Sequence, residues 1–546
     1  MTDLGTLGGF SIATGVNSTG NVVVGGSDIG GNVIHAFRWT EASNVMTDLG
    51  TLGGTSSFAN AVNSAGNVVV GESKIGADDR AFRWTEASNT MIDLGTLGGT
   101  TASANAVNSA GNVVVGESDI GGNIHHAFRW TEASNAMTDL GTLGGTTSFA
   151  HSVNSVGDVV VGKSQLASGA DRAFRWTEAT GMQSIEQWLA ANGVTVTGQN
   201  TKDARVVSAD GNVVAGVLDN DSAFIARVTS MGSGMINVPE FTAGLQRVAN
   251  SALLAHNDAD LVMHGIHGNP MRSLLPAGRS SIWTSGDVGR QDHGAYDSKL
   301  GAAEVGYAHR FNTSAQLNMA VGRTYSSAST GLGGDTTTQS TYVLPELILL
   351  LPNTSVFATL SAYYGSGDLR LDRAYLNAGT MTHTYGAPDM KSLGARIRLD
   401  WKDAVALGKN KLTPYASLTY MKTRIDEYTE QGNGFPVLWN ERTEHATTAR
   451  IGIDAVRPLN DSINILGRME AAHRFENTGT TTSGQIIGAG GGPFTFPGQN
   501  LMQKWLRVGL GIESKVGNGM TSVMLNATTQ GEAPSYWLAA NYRWVF

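Results

Sequence analysis

A block of about 45 residues recurs through the first 228 positions of this 546-residue chain, and a sequence that repeats at such a period folds as an array of small units rather than around one conventional core. Asp-Leu-Gly-Thr-Leu-Gly-Gly begins at Asp3, Asp48, Asp93 and Asp139. Ala-Phe-Arg-Trp-Thr-Glu, preceded by His or Arg, places Trp39, Trp84, Trp130 and Trp176 at spacings of 45, 46 and 46. Between the two lies Asn-Ser-X-Gly-(Asn/Asp)-Val-Val-Val-Gly, starting at Asn17, Asn63, Asn108 and Asn154. A degenerate fifth copy runs through Ala204–Val207, Ser208–Gly216 and Ala223-Phe224. Alternation within the second copy predicts four short strands, roughly Phe58–Asn63, Asn67–Ser73, Ala81–Thr85 and Met91–Leu94, with a hairpin turn at Ser64-Ala65-Gly66-Asn67. Four strands in about 45 residues is the size of one propeller blade. The fifth copy shows three strands, and Met1-Thr-Asp-Leu supplies an orphan fourth, so the expectation is a ring of about five blades rather than an open solenoid.

The array resembles the HAF-type extracellular repeat family, through His35-Ala36-Phe37 and His126-Ala127-Phe128. Its repeated Phe and Trp read as blade core, and the Asp of each Asp-Leu-Gly as an acceptor for turn amides. Gly157-Asp-Val-Val-Val-Gly162-Lys163-Ser164 spells a phosphate-binding loop, but its variable positions are strand-forming and the sister copies carry Glu72 and Glu117 where Lys163 stands. No nucleophile elbow and no His-Glu-X-X-His occurs, and Cys is absent, so no catalytic, cofactor or metal residue is assigned. Ser184–Asn192, with Ile185, Trp188 and Leu189 on one face, predicts a short helix.

The other end of the chain is equally constraining. Tyr536, Leu538, Ala540, Tyr542, Trp544 and Phe546 alternate with Trp537, Ala539, Asn541, Arg543 and Val545, giving one lipid-compatible face ending on aromatics. A final strand of this kind resembles those of Gram-negative outer-membrane β-barrels. The resemblance implies that Tyr536, Leu538, Tyr542, Trp544 and Phe546 are what the barrel-assembly machinery reads. About twelve alternating strands are expected from residue 279 onward, with apolar residues such as Leu393, Ile397 and Leu399 opposite charges. Those charges, Arg396, Arg398, Asp400, Arg450, Asp454, Arg468, Glu470, Arg507 and Glu513, are expected to line the lumen. A soluble sandwich would hide the apolar face instead; strand length and the aromatics Tyr307, Phe311, Phe475, Trp544 and Phe546 favour a barrel. No run of 18 apolar residues exists, charged residues are only 15%, and a net charge of −9 without a basic run excludes a nucleic-acid binder.

Residues 279–546 resemble the translocator barrel of autotransporters, the type V secretion proteins. The whole is thus expected to be all-β: a propeller-like repeat passenger over 1–228, a linker and lumen-threading helix over 229–278, and a 12-stranded transmembrane barrel over 279–546. Met231-Gly-Ser-Gly reads as a flexible link, and Pro239–Ala255 as the helix, with Phe241, Leu245, Val248 and Ala252 on one face. His264 and His267 lack a third metal ligand at suitable spacing and read as part of a turn. Asn257-Asp258 is placed past the helix, and without the paired Asn of self-cleaving members the passenger is expected to stay attached. Residues 1–30 contain no basic segment followed by an apolar run, and Met1 is repeat-equivalent to Met46, so an internal start or a processed or truncated chain is expected, with five blades a lower bound. The resemblance implies an outer-membrane location with the passenger at the cell surface. The partners expected are membrane lipid, the assembly machinery and a host or surface ligand, with adhesion preferred. The alternatives are a displayed hydrolase, since some passengers of the family are esterases or proteases, and a non-secretory channel.

Overall fold

The computed structural model describes residues 2–230, 232–292, 297–488, 492–531 and 533–546. The chain divides into two compact units: the first is the chain up to Phe241 together with Leu376–Thr380 and Gly488, and the second is the rest of the described chain from Thr242.

The first unit is five antiparallel four-stranded sheets, one per repeat copy. In the second copy the strands are Ser57–Val62, Val68–Ile75, Asp78–Thr85 and Thr90–Asp93. Three repeat features have local causes. The motif asparagine closes the first hairpin: Asn63 Oδ1 accepts the N–H groups of Asn67 and Val68, both at 3.0 Å. The glycine after Val-Val-Val lies where the first strand bulges, and a Cβ on Gly71 would sit 2.0 Å from the Phe58 carbonyl oxygen. The aspartate of Asp-Leu-Gly caps its own turn, Asp48 Oδ1 accepting Gly50 N–H at 2.8 Å. The cores form between successive sheets. One such cluster joins Val70 and Ala81 of the second copy to Ala104, Val114, Phe128 and Trp130 of the third.

Two expectations are corrected here. The fifth sheet is completed by its own strand, Gly232–Asn237, in which Met235 and Ile236 are buried. Residues 2–4 form no strand, and Met1 lies outside the described residues, so ring closure by that segment does not occur. The fourth strand escaped notice because Val-Met-Thr-Asp has drifted to Gly-Met-Ile-Asn among glycines, which read as a link; register still sets Asn237 opposite Phe224 as Asp48 is opposite Phe37. The array therefore runs past residue 228, through residues assigned to the linker. The helix α1, Ile185–Ala191, is capped by a reciprocal Ser184–Gln187 box.

The second unit is a closed barrel. Its described strands number twelve: Ser280–Gln291, Ser298–Arg310, Ala315–Gly331, Gly334–Leu350, Val356–Asn377, Asp389–Trp401, Asn410–Ile425, Arg442–Pro458, Ile463–Arg474, Lys504–Val516, Gly519–Thr528 and Tyr536–Val545. Each pairs antiparallel with its neighbours, and the ring closes where Ser281–Arg290 pair with Val545–Tyr536. The two faces differ in chemistry. Leu393 (56%), Leu510 (68%) and Met469 (70%) are exposed, whereas Arg398, Arg450 and Arg507 are at most 3% exposed. Water as the outer solvent would demand the reverse, so the outer face is built for lipid and the soluble-sandwich alternative fails.

Two helices precede the barrel: α2, Val238–Ala249, and α3, Ser251–His264. The single helix expected over Pro239–Ala255 is thus broken at Asn250 and continues further. Asn257 and Asp258 lie inside α3, and His264 closes its last turn rather than starting a loop. The periodicity ran out because α3 is buried all round, with polar and apolar residues on every side. No described helix is long and apolar enough to cross a membrane.

Candidate functional site: the helix-filled barrel lumen

A helix C-terminus leaves carbonyls unpaired and carries partial negative charge, so a cation-lined tube suits it. α3 ends among arginines. Arg507 donates from Nη1 to the His264 carbonyl at 2.7 Å, and Arg396 from Nη1 to that of Met263. The following turn is held likewise: Arg398 and Arg468 both donate to the Gly268 carbonyl at 2.8 Å. These four side chains come from three strands, brought together in the tube by the register of the barrel.

Each arginine is in turn held by acids. Arg396 pairs with Glu346 at 2.8 Å; Arg398 with Asp400 at 2.7 Å and Asp454 at 3.1 Å; Arg468 with Asp454 at 2.7 Å. Arg450 bonds Glu470 at 2.9 Å and reaches Asp260 of α3 at 3.4 Å. Buried guanidinium groups persist only when paired in this way, and the planar fork permits two partners at once. Aromatic faces complete the lining, with Arg398 3.6 Å from the Tyr415 centroid and Arg507 4.4 Å from that of Trp537. Glu513, less buried than the rest, bonds Arg272 at 3.1 Å. A cavity of about 110 Å³ remains beside Gly265, His267 and Arg272, room for several waters at roughly 10–15 Å³ each.

All nine charged residues singled out from the strands thus face inward. Two further lumen acids, Glu304 and Glu346, were not singled out from the sequence. His267 is held by both: Nδ1 is 2.8 Å from Glu346 and Nε2 2.9 Å from Glu304. Its ring is therefore fully engaged as a strut, and no group of three or more potential metal ligands exists among the described residues. Alternation was the available signal, since Glu304 precedes the exposed Val305 and Glu346 interrupts an apolar run. Asp258 of α3 is bonded by the Ser326 hydroxyl at 3.0 Å and by Thr338. The sequence that spells a phosphate loop is, from Val160, a strand, with Lys163 lying 5.1 Å over the Phe149 ring. On the final strand, Tyr536, Leu538, Tyr542 and Trp544 all face outward, and Phe546, just beyond it, exchanges backbone hydrogen bonds with Ser280 at 2.9 Å.

Among protein families, the autotransporter β-domain matches residues 282–528. This part of the chain is an autotransporter β-domain. It is an outer-membrane barrel. Solved structures with a similar trace include the translocator domain of the autotransporter NalP from Neisseria meningitidis, at 16% identity and a TM-score of 0.41, covering 55% of this chain and 96% of that one. The β-domain of the Bordetella autotransporter BrkA aligns at 14% identity and 0.37, over 49% of this chain and 99% of that one. The transport unit of AIDA-I from Escherichia coli aligns at 12% and 0.32, over 56% and 98%. No curated protein matches the chain.

Proposed function

We propose that the β-domain anchors the repeat array and displays it on the cell surface, where the array binds a surface ligand in adhesion. The reading rests chiefly on the barrel itself, with charges inside, apolar residues outside and a helix gripped in the lumen directly after the repeats in sequence. A passenger role is supported by how the repeat varies. Motif positions are buried or hydrogen-bonded, whereas the segments that differ between copies, Asp28–Ile34, Lys74–Asp79, Asp119–His125 and Gln165–Asp171, are largely exposed connections between the second and third strands of each sheet. We further propose that the outward aromatic strand ending at Phe546 is the segment read by the assembly machinery.

The test is protease shaving of intact Gram-negative cells carrying separate tags in the array and the barrel. Loss of the array tag with a protected, heat-modifiable barrel fragment is the expected result. An array tag that resists protease in intact cells and yields only after lysis would sink surface display.

A further inference from the structure

Each repeat copy has two unlike faces, and the array uses them in one direction. Arg38 of the first copy donates from Nε to the Gly66 carbonyl of the second at 2.8 Å, lies 5.8 Å over Trp84 and pairs with Glu86 at 3.1 Å. Arg83 repeats this on Gly111, Trp130 and Glu132 at 2.9, 5.8 and 3.2 Å. Arg129 reaches the Gly157 carbonyl at 2.9 Å, and Arg175 that of Gly211 at 3.3 Å. The Ala36 and Ala127 N–H groups donate forward to Ser57 Oγ and Ser148 Oγ, both at 2.8 Å. Each of the first four copies thus gives an arginine to the copy after it. To the copy before it, the second copy offers a glycine carbonyl, a serine hydroxyl and a glutamate.

The two ends finish differently. In the fifth copy Ile225 stands where the arginine would be and Ala226 where the tryptophan would be. There α1 supplies the missing ring, Trp188, 5.0 Å from Arg175. The first copy keeps its accepting groups in Ser11, Gly20 and Glu41. Among the described residues no arginine reaches the Gly20 carbonyl. A Cβ on Gly66, Gly111 or Gly157 would meet the preceding copy's valine at 2.6 Å, whereas at Gly20 nothing lies within 4 Å. The strand Ser11–Val16 is exposed, with Ile12 at 52%, whereas Ala59, Ala104 and Ala150 at the equivalent of Ala13 are at 0%. The entry loop is already set: Asp3 Oδ1 accepts Gly5 N–H at 3.0 Å and Ser27 Oγ accepts Leu7 N–H at 2.9 Å, as Asp48 and Ser73 do in the second copy.

We propose that this face is a docking socket for one further copy of the same repeat, joined ahead of Asp3, with its arginine on the Gly20 carbonyl and Glu41 and its Ala-Phe strand on Ser11. The face continues an interface that recurs between all successive copies of the array. A second molecule of this chain offers no matching donor, because Arg38, Arg83, Arg129 and Arg175 are engaged and the fifth copy carries Ile225. The socket exists whatever the array binds.

Tandem duplication of residues 3–47 ahead of Asp3 in the full-length chain tests this, read by amide hydrogen exchange. Exchange along the original Ser11–Val16 strand slows by about tenfold or more, and Arg38→Ala in the added copy alone reverses most of that. Slow exchange in the unduplicated chain overturns the proposal, because something else then covers the face. So does an unchanged rate on duplication. An added copy left unprotected throughout overturns it too, since the same sequence folds when a copy follows it.

Discussion

The array and the barrel are both built from short-period alternation, yet they bury opposite chemistries. Between the sheets of the array, Phe128 and Trp130 pack against Val70 and Ala104. In the barrel Leu393, Leu399 and Leu510 face out, and Arg398, Asp400, Arg450 and Glu470 face in. Arginine is the connector in both. In the array Arg83 bridges to the next copy's turn carbonyl; in the barrel Arg507 and Arg468 bridge to the end of α3 and its following turn. A strand pattern therefore states which residues share a face. The solvent on the far side decides which face is hidden.

That contrast can be broken most severely inside the lumen. Arg398→Met leaves Asp400 and Asp454 without their shared partner, and removing one member of a buried pair costs about 3–5 kcal/mol. The expected outcome is loss of the heat-modifiable folded barrel in membrane fractions. Phe128→Ala in the array acts by the ordinary cavity mechanism and costs about 3–5 kcal/mol locally, exposing adjacent sheets to protease while the barrel stays folded. Leu510→Arg, harmless on a water-facing strand, costs about 2–4 kcal/mol if it lies near the bilayer midplane and less toward either rim. Folding titrations in lipid vesicles measure this, and a neutral result would remove the lipid-facing assignment. Gly116→Ala brings a methyl group 1.9 Å from the Ser103 carbonyl oxygen, so the bulge must open at a cost of about 1–3 kcal/mol, seen as faster exchange in that sheet.

The smallest effect is a pH dependence confined to the array. Burial holds the Glu117 carboxyl above the ordinary carboxylate range, partly offset by the Asn105 hydrogen bond. A raised folded value means the folded state binds the proton more tightly. Stability in that sheet is therefore greatest below the unfolded value and is lost as pH rises through the folded one. Glu117→Gln should flatten the change in exchange protection of Val113–Asp119 between about pH 4 and pH 7. An identical pH profile in both proteins would assign the effect to another group.

Much of this was legible in sequence where a rule is local. Asn63, Gly71 and Asp48 recur because each meets a backbone requirement within its own hairpin or turn. The outward and inward sets of the strands Asp389–Trp401 and Lys504–Val516 follow from period two alone. The sequence was silent where a residue's partner lies far along the chain. Nothing near His267 points to Glu304 or Glu346, and nothing in α3 or the turn after it announces four arginines from three strands. The fourth strand of the fifth sheet was hidden for a related reason: Gly232 and Gly234 look like a link, and only pairing with Thr229 and Arg227 makes them a strand.

By itself the sequence determined the repeat, the all-β class, the alternation of the barrel strands and the aromatic end of the last one, because each is written in residues a few positions apart. Tertiary structure decided that the sheets hand their arginines forward in one direction, that the first copy's strand is left open, and that α3 continues to His264 with its carbonyls held by arginines. Those outcomes depend on which strands become neighbours when the ring closes and the sheets stack, and on the unpaired groups that this leaves to be satisfied.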